Sequence, residues 1–175
     1  MKVVFQSPHF EEHKISAENL IKLEVYGISL NHDPARPLLL LKDQSQAHVL
    51  PVYLTPIEAG VTIQQSNQQM LPTTPHRVTE LLLESLAIKI ERCVFVELKD
   101  HHQYVRLFFE GHPNQGSIKV RADEAMSLCL HLKIPIFATV KFMNKSKIMS
   151  AELESLAQGL KICPVGLMKS HQYLN

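Results

Sequence analysis

The run Arg121-Ala122-Asp123-Glu124-Ala125 sets one cation beside two carboxylates at a point where a strand pattern passes into a helix without a glycine. Glu58-Ala59 repeats part of that arrangement earlier in the chain, and His76, Arg77 and Glu80 open a leucine-rich helical segment. Clustered carboxylates can hold a divalent cation such as Mg2+ or Mn2+, a neutral histidine can take a proton, and arginines can bind an anion such as phosphate. His76, Glu80 and Glu124 are the candidate acid–base residues. Glu58 and Asp123 are candidate metal ligands, and Arg77 and Arg121 candidate phosphate contacts. Each has a plainer reading beside the chemical one. Carboxylates at Glu58, Asp123 and Glu124 would meet exposed amides and the positive dipole end of a helix whatever their other role. Arg121, ahead of two acids, equally suits a buried ion pair, and His76 a half-exposed histidine near a helix cap.

Other motifs carry less. His9-Phe10-Glu11-Glu12-His13 has the H-x-x-E-H spacing of a zinc protease, but it stands in a polar lead-in without a partner motif, where a solvated helical turn is the better reading. His101-His102 falls in a hairpin turn and supplies polarity there. The absence of a glycine-rich phosphate loop, a G-x-S-x-G elbow and a C-x-x-C pair removes the common kinase, serine hydrolase and zinc-finger readings. Three cysteines, odd in number and set in apolar sequence, suit reduced core thiols. Eighteen basic and seventeen acidic residues leave a formal charge of +1, so any nucleic-acid contact needs a local patch. Arg92, Arg106, Lys119 and Arg121, beside Tyr104, could supply one if their strands pair. Met1 to Pro8 has too few apolar residues for a signal peptide, and no run approaches the roughly 18 apolar residues of a spanning helix, so a cytoplasmic protein without membrane contact is expected.

The elements that would position these residues follow from periodicity. Residues 1–19 form a polar lead-in, 20–140 the domain, and 141–175 an extension with one helix from Ala151 to Leu160 and a loosely held end. Ile21 to Leu30 reads as a strand, and Leu38 to Leu41 with Val49 to Leu54 as a hairpin. Thr55 caps a helix with Pro56 at its first position. Pro75 to Leu86 is the clearest helix, with Val78, Leu81, Leu82 and Leu86 as its apolar face. Arg92 to Leu98 and Tyr104 to Glu110 form a second hairpin, followed by strand 117–121, a helix with Ala122, Ala125, Leu128, Cys129 and Leu132 on its buried stripe, and a last strand at 134–138. Leu39 to Leu41 and Phe108-Phe109 lack alternation, which suggests strands covered on both sides by helices or by a second subunit.

Leu41-Lys42-Asp43 is echoed by Leu98-Lys99-Asp100, and Glu58-Ala59 by Glu124-Ala125, so a strand, hairpin and helix unit is expected to occur twice. Two like units would pair into one mixed sheet with helices outside, an α+β fold. The ordered series Val49-Leu50-Pro51-Val52, Ile57-Glu58-Ala59, His76, Arg121-Ala122-Asp123-Glu124-Ala125 and Pro135-Ile136 resembles the bifunctional nuclease domain family of bacteria and plants, over about residues 20 to 140. The resemblance implies a barrel-like, largely antiparallel or mixed sheet of two repeats with flanking helices. It also implies hydrolysis of phosphodiester bonds in RNA and DNA. The chain departs from the family's Arg-Pro-x-Thr-His-Asp at Arg77, where an acid is expected, and from Arg-Pro-Ser-Asp-Ala at Ala122 and Asp123. Three functions are compatible: a divalent-metal-assisted nuclease, a noncatalytic module binding single-stranded RNA or DNA, and a dimeric interaction or scaffold domain.

Overall fold

The computed structural model describes residues 20–29, 37–45, 48–66, 75–111, 116–146 and 162–164. The lead-in with its H-x-x-E-H spacing and the expected helix at 151–160 lie outside the described residues. Within them the chain runs β1 (Leu20–Ser29), β2 (Leu38–Asp43), β3 (Val49–Tyr53), α1 (Pro56–Ser66), α2 (Arg77–Ser85), β4 (Lys89–Lys99), β5 (His102–Glu110), β6 (Ser117–Arg121), α3 (Ala122–His131), β7 (Ile136–Thr139), a helix α4 at 140–146, and β8 (Ile162–Pro164).

The fold is α+β, a mixed sheet curled into a half-barrel. Strand order is β3-β2-β1-β7-β4-β5-β6, with β8 pairing β1 beyond the end of β7. Two antiparallel meanders, β1-β2-β3 and β4-β5-β6, are each followed by a helix. They are joined through β7, which is antiparallel to β1 and parallel to β4. The expected barrel is therefore open, with β3 and β6 as edges of the path. Register shifts at Val25/Gly27, Ile90/Arg92 and Phe95/Glu97 supply curl, because an extra residue on one strand bends it and increases local twist. The curl brings β5 back towards the edge strand β3, where Gln103 Nε2 donates to the Pro51 carbonyl at 2.9 Å. Pro51 is tolerable there because an edge strand needs only one row of ladder donors.

The internal echo of the sequence is only partly matched. Glu58 and Glu124 are each the third residue of their helix, and the alanine after each is buried. Leu41-Lys42-Asp43 ends the second strand of its meander, however, whereas Leu98-Lys99 ends the first of the other. Those two runs are not equivalent.

One core lies between one sheet face and the helices. Leu39, Leu41, Leu50, Val52, Cys93, Phe95, Val105 and Leu107 meet Ala59 of α1, Ala122, Ala125, Met126 and Cys129 of α3, and Phe142 and Met143 of α4. All four leucines of β2 are buried, as the unbroken run suggested. Cys93 and Cys129 are buried free thiols, and the hydrogen bond between them, with burial, pushes the Cys93 thiol far up. α2 and α3 end in Schellman turns without glycine: Ile88 N–H donates to the Leu83 carbonyl and Ile134 N–H to the Cys129 carbonyl, with Ala87 at φ 54° and Lys133 at φ 54° in the left-handed position.

The β2–β3 turn is clamped by Asp43, which accepts from Ser45 Oγ at 2.6 Å and lies 3.0 Å from His48 Nδ1. The Ser45 hydroxyl first and then His48 hold its carboxyl down to about 2. A carboxyl depressed on folding contributes stability above its unfolded value and loses it as pH falls through the folded one. Asp43→Asn should therefore cost about 1–2 kcal/mol in chemical denaturation at pH 7, and this penalty should vanish between about pH 4 and pH 2. An equal penalty at both ends would rule out the clamp.

Candidate functional site

α1 and α3 pack against each other, and both bring small buried side chains to the core, Ala59 on α1 and Ala122 and Ala125 on α3. Thr55 Oγ1 accepts from Glu58 N–H at 3.2 Å, so α1 begins where cap chemistry placed it, with Glu58 in its first turn. From there the Glu58 carboxylate reaches Ser127 of α3, whose Oγ donates to Glu58 Oε2. His76, at the N-cap of α2, completes the chain with Nε2 2.8 Å from the same Ser127 oxygen. A serine hydroxyl has one proton. Because that proton goes to Glu58, His76 Nε2 must carry the hydrogen that Ser127 accepts, which leaves the lone pair on Nδ1.

A second pair stands beside the first. The His131 ring lies 5.7 Å from that of His76, centroid to centroid, and its Nε2 is 3.3 Å from Glu80 Oε2. The same Glu80 oxygen receives Arg77 Nη1 at 2.6 Å. Burial, followed by the neighbouring His131, lowers the His76 pKa and keeps its ring neutral. Burial, followed by the Asp123 charge, raises Glu58. The hydrogen bonds from Arg77 and then His131 hold Glu80 below the usual carboxylate range.

Of the residues singled out in the sequence, Glu58, His76, Glu80 and Arg77 thus join one network, through Ser127 and His131. Arg121 has its partner in Asp123: Nε donates to Oδ1 at 2.9 Å and Nη2 to Oδ2, and this pairing raises the arginine further. Asp123 touches the network through its charge on Glu58. Glu124 is exposed, with no hydrogen bond or ion pair among the described residues. Ser127 and His131 were not singled out, although they lie one helical turn apart on a helix that is otherwise apolar beyond its acidic first turn. Two polar side chains at that spacing share a face, and this was the available signal.

The donor set does not match a Mg2+ or Mn2+ site, which needs carboxylate oxygens free to turn towards the ion. Both Asp123 oxygens accept from Arg121, Glu58 accepts from Ser127, and among the described residues no three His, Cys, Asp or Glu side chains converge as ligands. A cleft bounded by Pro51, Tyr53, Leu98, His102 and Asp123 opens nearby and shares only Asp123 with this network.

The bifunctional nuclease domain matches residues 39–151, which contain every residue of this network. The chain belongs to that family. No curated protein matches it. In this family member, the face of the second meander turned from the core carries Arg92, Tyr104, Arg106, Phe108, Lys119 and Arg121 in cross-strand register. Arg92 lies over the Phe108 ring at 4.6 Å and Lys119 over Tyr104 at 4.8 Å. Lys119 also pairs with Glu97, while Arg106 Nη1 donates to the uncharged Ser117 Oγ at 2.9 Å.

Glu58 is raised in the folded protein, so its ionisation opposes folding, and its contribution is lost as pH rises through the folded value. Glu58→Gln should leave the protein at least as stable as the parent at pH 8, with the relative gain disappearing by pH 4. A loss of stability at pH 8 would mean that the Ser127 hydrogen bond outweighs desolvation.

Proposed function

We propose that this site hydrolyses phosphodiester bonds of single-stranded RNA or DNA, with His76 as the general base. The observation that supports this reading is the Glu58–Ser127–His76 hydrogen-bond chain beside the His131–Glu80 pair. Held through Nε2, a neutral His76 has Nδ1 available to take a proton from water as the water oxygen forms its bond to phosphorus. The bond from phosphorus to the leaving oxygen breaks in the same displacement, and His131, positioned by Glu80, returns a proton to that oxygen. Arg77 lies one residue from the base and answers charge on the non-bridging oxygens. No step passes through a metal. Glu58 and Ser127 are positioning residues, since Ser127 is fully buried.

Labelled single-stranded oligonucleotides test this. Cleavage should survive EDTA and fall by about a hundredfold or more in His76→Ala. Cleavage abolished by EDTA and indifferent to His76→Ala would move the chemistry to a different site.

A second reading, binding without turnover, is favoured by the register of cations and rings on the second meander, where aromatic faces can stack bases and arginines meet phosphates. Arg106→Ala should weaken oligonucleotide binding and reduce its dependence on the logarithm of salt by about one. Unaltered binding and slope would exclude this face as the contact.

A further inference from the structure

Among the described residues α2 has no buried side chain. Its apolar face, Val78, Leu81, Leu82 and Leu86, is 66%, 47%, 57% and 64% exposed, respectively. At 100° per residue these four project from one side of the helix, while Glu80 and the half-buried Leu83 turn towards the body of the domain. A nine-residue helix is too short to hold itself in water, and among the described residues it is gripped mainly through His76, Glu80 and Leu83. This helix, with its N-cap, nevertheless carries three residues of the candidate site, His76, Arg77 and Glu80.

We propose that the exposed face of α2 is an interface with a second copy of this chain, the two α2 helices packing antiparallel across a two-fold axis. The pattern is self-complementary, as an isologous contact requires. Arg77 and Glu84 lie one heptad apart on the border beside Leu81. In an antiparallel pair the same borders of the two helices meet, so Arg77 of each copy comes opposite Glu84 of the other. With Glu80 turned inward to His131, the border keeps one cation, Arg77, and one anion, Glu84, a balanced pair that matches its own two-fold mate and gives no net attraction to an anionic lipid surface. The apolar stripe covered in this way would fix the helix that presents His76. The proposal is independent of phosphodiester chemistry, because its readout is mass.

Size-exclusion chromatography with light scattering, at micromolar concentration, should give twice the 19.9 kDa chain mass. Leu82→Glu should give the single-chain mass with an unchanged far-ultraviolet spectrum, since the side chain is exposed. Glu84→Arg should weaken the dimer about tenfold, and adding Arg77→Glu should restore it. A parent protein that is monomeric throughout, or a dimer indifferent to Leu82→Glu, overturns the interface. Failure of the charge-swapped pair to recover overturns the antiparallel arrangement.

Discussion

A single buried hydroxyl, that of Ser127, holds the candidate site together. It bridges the Glu58 carboxylate and the His76 imidazole where α1 packs on α3, beside the small buried residues Ala59, Ala122 and Ala125. Buried polar groups are costly when unpaired, and here each is partnered: the serine gives its proton to Glu58 and accepts from His76. The site's electrostatics follow from the same enclosure. Burial raises the acid and lowers the histidine, which leaves a neutral base beside a reluctant carboxylate.

The sheet supports this arrangement through its curl. Bulges in β1 and β4 bend the two meanders, and the Gln103 bond to Pro51 links the second meander to the far edge of the first. β7, shared by both meanders, follows directly from α3 and so ties the position of the helix to the centre of the sheet. Of the network's carboxylates, Glu58 is in tension with stability, because it is easier to bury neutral than charged. Such a cost at a polar cluster is what a functional site, rather than a purely structural one, tends to retain. The reversed charge at Arg77 is answered within the same helix, where Glu80 pairs with it and faces His131.

Much of the architecture was legible in local pattern. The hairpins, the Thr55-Pro56 helix start and the family resemblance follow from turn residues, cap chemistry and ordered motifs. The match over residues 39–151 agrees with that resemblance. The parallel pairing of β7 with β4 was not legible, since it depends on contacts distant in sequence. The non-glycine helix ends at Ala87 and Lys133 also gave no local sign. Ser127 hid because a serine in the apolar part of a helix reads as a small packing residue until its partners from α1 and α2 are in place. Periodicity found the apolar stripe of α2 correctly but could not tell that it faces away from the core. The hydrophobic pattern identifies a face to be covered without saying by what.

The arrangement of the site turns on the state of one ring. The nitrogen chemical shifts and titration of His76, followed by NMR in the full chain, report its tautomer and its proton affinity together. The structure predicts a neutral ring at pH 7 protonated on Nε2, with Nδ1 bare and a pKa below the ordinary histidine value. A proton on Nδ1 in the neutral ring, or a pKa above that ordinary value, would contradict it.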